Sequence, residues 1–519
     1  MSSASELHPR QSAISAQQAA RFLQQAGFSS TDSEIAAVQK LGYANWLDKE
    51  FARPISESNW NWLVSMGYDT EEFKSKGFVP PAHAAIWQRL ITAPDVLRQR
   101  FALALSEFFV ISIQGTALPY RHFAMAAWWD MLCAHAFGNY RDLLEAVTLS
   151  PAMGRYLNTA GNQKADPAKG RQPDENYARE VLQLFSIGLV QLNPNGTPRL
   201  DGQGRMIETY TQEDISQLAR VFTGWVVPAP REAEDPEFAR QPMRFIPARH
   251  SMLEARFLGA SIPANTDGFK ALRIALDTIF HHPNVGAFFG KQMIQRLVTS
   301  NPSPAYVARV AQAFDDNGQG VRGDMQAVIR AILLDKEARA TPAPTYGKLR
   351  EPMLRFLHWA RSFPASAEDG KWNLGDLSNP AHALGQQPLK APSVFNFFRP
   401  GYTPADTAIA AQDMTAPEFQ LVDEASVAGY LNFMQNVIAR GRGGVKADYA
   451  RELAMAHDSA ALVQHLNLIL CAGQMREETR NAIHQAIDTI NVNDDKGKSQ
   501  RVHAAIFLSM SGPDYLIQR

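Results

Sequence analysis

The chain has 519 residues, 45% of them apolar and 20% charged, with 51 Lys and Arg against 52 Asp and Glu. That apolar content excludes a wholly disordered chain, and the even charge balance argues against a dedicated nucleic-acid or polybasic membrane binder, whose affinity rests on surplus cations. The two cysteines, Cys133 and Cys471, are too few for a disulfide scaffold or a multi-thiolate zinc site, and both fall in apolar helical stretches as inert thiols.

From the N-terminus, residues 1–18 contain no apolar core of signal-peptide length, so the sequence as written reads without an export leader. Thr31-x-x-Glu34 opens a helix as a capping box and Gly42 closes it. Tyr43, Trp46, Leu47, Glu50 and Phe51 then follow helical spacing, with four of the five positions apolar. The run 101–113 is the longest apolar stretch and is too short and interrupted to span a bilayer, so no transmembrane segment is expected. Periodic runs recur at 96–112, 120–148, 174–189, 211–223, 268–280, 284–299, 304–314, 324–338, 352–363, 416–440, 447–472, 475–490 and 499–511. Ser150-Pro151, His282-Pro283, Ser303-Pro304 and Asn379-Pro380 each place a cap before a proline at a helix start. The expected fold is therefore mainly α, a large multi-helix bundle-like assembly. A small β-hairpin and loop insertion is expected around residues 189–260, where Asn195-Gly196 signals a hairpin turn. Residues 1–385 are read as the main helical domain, 386–415 as an aromatic-rich connecting loop, and 416–519 as a C-terminal helical subdomain packed on the first. The Gly-rich 440–446 segment lacks a strand-to-helix setting and reads as a connector.

Chemistry is sought where long irregular segments flank two patterned helices. In 174–189, Ala178, Val181, Leu182, Phe185 and Leu189 form an apolar stripe. Asn176, Glu180 and Gln183 lie almost opposite it, with Glu175 and Arg179 on its flank. The row reads either as a solvated face capped by Asp174, or as a convergent polar row at a pocket mouth. Thr211-x-x-Asp214 fits a capping box, Arg220 projects away from the apolar face, and Gly224 reads as the stop with Trp225 packed behind it. His250 is a lone loop histidine, Lys291 a snorkelling cation, and the phenylalanines of 392–401 read as core anchors or as a sugar-stacking surface. There is no nucleophile elbow, Walker loop or dinucleotide fingerprint, so no nucleotide cofactor is expected, while a divalent metal is carried as open.

The succession of Glu175-Asn176-Tyr177-Ala178-Arg179-Glu180, Tyr210-Thr211 through Thr223-Gly224-Trp225, the His250 turn into Phe257-Leu258-Gly259, and Gly385-Gln386 before Pro392-Ser393-Val394 resembles the bacterial "domain of unknown function 1800" family. Residues 20–28, 151–153 and 508–516 extend the resemblance over nearly the whole chain. The resemblance implies a large, mostly helical bacterial protein, often exported to the periplasm or beyond. It also implies a sulfatase-like partner protein and, by that association, work on an envelope or extracellular polysaccharide. Two places depart from the family pattern: His250-Ser251 stands where the family usually has His-Asp, and residues 396–401 read Asn-Phe-Phe-Arg-Pro-Gly where Gly-Trp-Pro-x-Gly is common.

Two functions are expected from this. The first is a hydrolase-type enzyme on a glycan or ester, with Glu175 or Glu180 as acid or base and Asp214 and His250 assisting. Asn176, Arg179, Gln183, Arg220, Trp225 and Gln386 would then bind substrate. The second is a non-catalytic binding or assembly protein, with the same polar residues locked in ion pairs and an apolar patch left accessible.

Overall fold

The computed structural model describes residues 13–74, 78–228 and 235–519. Residues 1–12 of the N-terminal stretch read as lacking an export leader, and residues 229–234 of the expected 189–260 insertion, lie outside the described residues. The chain is mainly α: 23 α-helices, with strands confined to four two-stranded antiparallel sheets, among the described residues.

The helix Val96–Phe108 is the axis of the packing. All its residues are buried, because helices Ala16–Ala26, Tyr43–Phe51, Pro80–Thr92, Arg121–His135 and Asn284–Leu297 pack against it from different sides. A helix covered all round is normally apolar all round. This one carries Arg98, Gln99, Arg100 and Glu107 inward, so each needs a partner inside the protein.

The insertion around 189–260 holds three hairpin-like pieces. Bridges Val190↔Glu208, Leu192↔Pro198 and Leu200↔Met206 form the first, Trp225–Val226 with Arg244–Phe245 the second, and Ala255–Phe257 with Ala260–Ile262 the third. Asn284 fastens the first to the core: its Oδ1 accepts from the Leu192 amide at 2.9 Å, and its Nδ2 donates to the Ile187 and Val190 carbonyls at 2.8 Å each.

Beyond residue 415, helices Glu424–Arg440, Ser459–Cys471, Glu477–Asp488 and Asp495–Ser511 pack on one another. Ser459–Cys471 also contacts the N-terminal helix Ala16–Ala26, and Ile517–Gln518 pairs with Lys348–Leu349. The 440–446 connector supplies a short strand, Val445–Lys446, paired with Ser366–Ala367. No helix among the described residues is long and apolar enough to cross a membrane.

Candidate functional site

The helix read as opening at Asp174 begins at Asn176 and ends at Gln183. Asp174 serves its start from outside, its Oδ1 accepting from the Asn176 amide at 2.8 Å. Asn162 ties the preceding loop to this start, exchanging two hydrogen bonds with the Asp174 backbone, while its own carbonyl accepts from the Gly224 amide at 2.9 Å. The helix packs on Gln212–Val221, with Tyr177 buried edge-on against Phe222 at 4.9 Å.

Between the two helices the polar side chains close on one another. Glu175 accepts from Gln212 Nε2 at 2.8 Å and from Ser216 Oγ at 2.5 Å, and pairs with Arg179 at 3.3 Å. Arg179 also donates to Gln212 Oε1 at 3.2 Å. Asp214 completes the capping box with Thr211 and accepts from the Leu258 amide at 2.8 Å. Burial alone would raise its carboxyl, but these three donors outweigh it and hold the group below its ordinary value. Arg220 donates to Gln217 Oε1 and to the Glu254 carbonyl.

His250 is buried, its Nδ1 2.9 Å from the Thr223 carbonyl, and burial lowers its basicity. Gly224 stands at φ +92°, and a Cβ there would meet the Phe245 ring at 2.9 Å and His250 Cβ at 3.2 Å, so the turn that seats His250 requires glycine. Trp225 lies in the core against Phe245 and Phe269. Asn176 is half-buried in the first turn. Glu180 differs from its neighbours: it is buried, its Oε2 has no hydrogen-bond partner among the described residues, and burial raises its carboxyl against the pull of Arg179.

Gln183 faces elsewhere. It lines a cavity of about 440 Å³ together with residues 188–198, the helix Asn284–Leu297, the end of Val96–Phe108 and the loop 394–401. The wall is largely apolar, with Phe108, Leu184, Phe288 and Phe398 among its residues. Gly188 makes the closure tight: it stands at φ +71°, and a Cβ would meet the Phe288 ring at 2.7 Å. The aromatic loop is strapped over the cavity by Asn396 Nδ2 donating to the Glu107 carbonyl at 3.1 Å, and by Gln295 Nε2 donating to the Pro400 carbonyl at 3.1 Å. Lys291 stands exposed at the rim, with no hydrogen bond or ion pair to another described residue.

Behind this wall lies a buried charge network that also contains Gln386, away from the Glu175 cluster. Gln386 donates to Glu351 at 2.8 Å and accepts from the Met353 amide at 3.1 Å. Lys348 lies 2.9 Å from Glu418 and 3.6 Å from Glu351, and Arg296 Nε lies 3.6 Å from Glu107. Arg100 donates to the Arg296 carbonyl at 2.6 Å. Burial, then the neighbouring Glu351 charge, drives the Glu107 carboxyl well above its ordinary value. Burial opposes ionisation of Glu351 too, but Lys348, the Glu107 hydrogen bond and Gln386 overcome it and keep that carboxyl low. The two carboxyls titrate as a pair, with ionisation opposed at Glu107 and favoured at Glu351.

The sequence reading missed Glu107, Arg296 and Asn162. The available signal was a charged residue in a helix apolar on every side, as at Glu107 in 101–113. Among the described residues no group of three His, Cys, Asp or Glu side chains converges as a metal site would require. No curated protein and no solved structure matches this chain. The family model described as "protein of unknown function (DUF1800)" matches residues 21–517, nearly the whole length, and the chain belongs to that family.

Proposed function

We propose that this chain binds an apolar-bodied small molecule, or the acyl part of a larger one, in the cavity between residues 188–198, Asn284–Leu297 and the loop 394–401. The observation that carries the reading is the cavity itself: about 440 Å³ and largely apolar, within the ~300–1,000 Å³ range of ligand sites. The closed Glu175–Arg179–Gln212 cluster supports binding over chemistry at that spot, since its polar groups are already spent on each other. The test is titration with the neutral, environment-sensitive dye N-phenyl-1-naphthylamine. Saturable binding is expected, weakened about tenfold or more by Val190→Trp or Val394→Trp, which enlarge lining residues. Absence of saturable binding, or binding indifferent to both variants at unchanged melting temperature, overturns the reading.

A second reading, a hydrolase-type enzyme on an ester, is favoured by Glu180, a buried carboxyl with a free oxygen one turn before the cavity-lining Gln183. On this reading the polymer expected from the family resemblance presents an acyl ester rather than bare sugar, because the wall is apolar. Turnover of p-nitrophenyl octanoate, lost in Glu180→Gln while dye binding persists, is the expected result. Turnover that survives the substitution, or none in wild type, counts against it.

A further inference from the structure

The charged residues that line the cavity fall into two groups. Arg296 and Glu107 are buried, 4% and 3% exposed, and belong to the network behind the wall. Arg296 is committed to the protein: Nη1 donates to the Gln292 carbonyl and Nη2 to the Glu107 carbonyl, each at 3.1 Å, and Nε faces the Glu107 carboxyl at 3.6 Å. What remains for a ligand in the interior is apolar, with Phe108, Leu192, Phe288 and Phe398 in the wall.

The mouth is different. Lys291 and Arg399 are both exposed there, and neither side chain has a hydrogen bond or ion pair with another described residue. Arg399 lies over the Phe395 ring at 4.7 Å, which holds the guanidinium at the rim and leaves its N–H edge open. Partial burial lowers the Lys291 ammonium from the ordinary lysine value, with no carboxylate opposing it. Glu107 is the only acid among the described lining residues, so the cavity supplies these two cations with no counter-ion. Beside them Leu189 and Phe395, 58% and 38% exposed, leave apolar side chains open at the same edge.

Cations without counter-ions, set at the entrance to an apolar interior, match a molecule that is anionic at one end and alkyl at the other. Solvation decides which end goes in. A charged head driven inward would lose its water where no donor is free to replace it. At the mouth it keeps part of its hydration and meets two cations, beside a low-dielectric wall that strengthens the attraction.

We propose that the cavity holds a single-chain amphiphile with an anionic head, its alkyl chain inside and its head at the mouth against Lys291 and Arg399. A carboxylate and a phosphate monoester share this chemistry. The proposal rests on the binding reading above and adds the ligand's charge and orientation to it.

Decanoate, decyl phosphate, decanol and decyltrimethylammonium are titrated calorimetrically into the wild-type protein, Lys291→Gln, and the double variant Lys291→Gln with Arg399→Gln. The readout is each ligand's affinity relative to decanol, so a general loss of binding cancels. At about 0.01 M salt at least one of the two anions is expected to bind about three- to tenfold more tightly than decanol, and the cation more weakly. The tighter of the two anions identifies the head. The preference is expected to shrink in Lys291→Gln, to vanish in the double variant, and to vanish in wild type at about 1 M salt, where exposed charges are screened. Orientation is read on wild type with ¹³C-labelled decanoate and a neutral, soluble gadolinium chelate, which is expected to broaden the carboxyl and spare the terminal methyl.

Equal affinity of anions and decanol at low salt, a preference that survives the double variant, or a methyl broadened before the carboxyl overturns the head-out site while decanol binding keeps the apolar cavity reading in place. If none of the four compounds binds, both fall together.

Discussion

His358 shows how burial sets the behaviour of a single residue. It is fully buried, its Nε2 3.0 Å from the Ile469 carbonyl and its Nδ1 3.0 Å from Arg350 Nη1. The carbonyl requires a proton on Nε2 and the guanidinium requires a lone pair on Nδ1, so only the neutral ring fits both neighbours. Burial first, and then the Arg350 charge, push its pKa down to about 3. Above the ordinary histidine value of 6.5 both folded and unfolded chains keep the ring neutral and the full stability is present. As pH falls below that value the unfolded chain takes up a proton the folded one refuses, and stability declines until about pH 3, at a limiting ~1.4 kcal/mol per pH unit. Glu107 acts in the opposite sense, since a raised carboxyl binds its proton more readily when folded. The informative quantity is therefore the difference between wild type and His358→Gln in denaturant unfolding from pH 7.5 to 4.5. The variant is expected to be less stable at pH 7.5 and to lose less on acidification. Parallel curves would show that the ring is not held neutral.

At the scale of elements, Thr211 and Asp214 act as one cap. The carboxylate of Asp214 accepts from the Thr211 amide and hydroxyl at 2.7 Å each, while its other oxygen fixes the Leu258 amide of the adjoining hairpin. Asp214→Ala is expected to cost about 1–2 kcal/mol in denaturant unfolding, the upper range for a lost N-cap, and to leave cavity binding of the dye unchanged. A loss of dye binding at unaltered stability would place Asp214 in the working site instead. This cap was legible in the sequence because its partners are three residues apart, as was the box at Thr31 and Glu34. Local spacing also made the mainly α class plain. Short helices such as Pro151–Tyr156, Lys336–Arg339 and Pro513–Leu516 show too few turns to display a period. They account for much of the gap between about a dozen periodic runs and 23 helices. The buried charge network behind the cavity wall was illegible for a different reason: Arg296 meets the Glu107 carbonyl across 189 positions, and nothing within either segment announces the other. Gln386 likewise carries its meaning in Glu351, 35 positions away.

Across the whole molecule, distant stretches of chain are bound into the same core that holds the buried charges. Ile517–Gln518 pairs with Lys348–Leu349, so the strand bearing the buried cation Lys348 is held by residues near the C-terminus. The Arg350 amide donates to the Leu516 carbonyl and its Nε to the Tyr515 carbonyl, each at 2.8 Å, while Gln518 Nε2 reaches the Leu297 carbonyl at 2.8 Å. Leu297 directly follows Arg296, a cation of the buried charge network. At the other end of the sequence, Arg21 Nε donates to the Arg519 carbonyl at 2.9 Å. Deleting residues 513–519 would strip partners from Arg350 and from Arg21, both buried, and leave their charges short of acceptors, a loss of several kcal/mol. We propose that residues 416–519 are a subdomain with no separate stability, because its contacts run into the first helix and into the strand beside the cavity. Thermal unfolding followed by tryptophan fluorescence and far-ultraviolet circular dichroism is then expected to show one coincident transition, shifted well down by the deletion, with dye binding lost alongside. Two resolved transitions, the later one untouched by the deletion, would mean instead that the cavity and the C-terminal helices are stabilised independently.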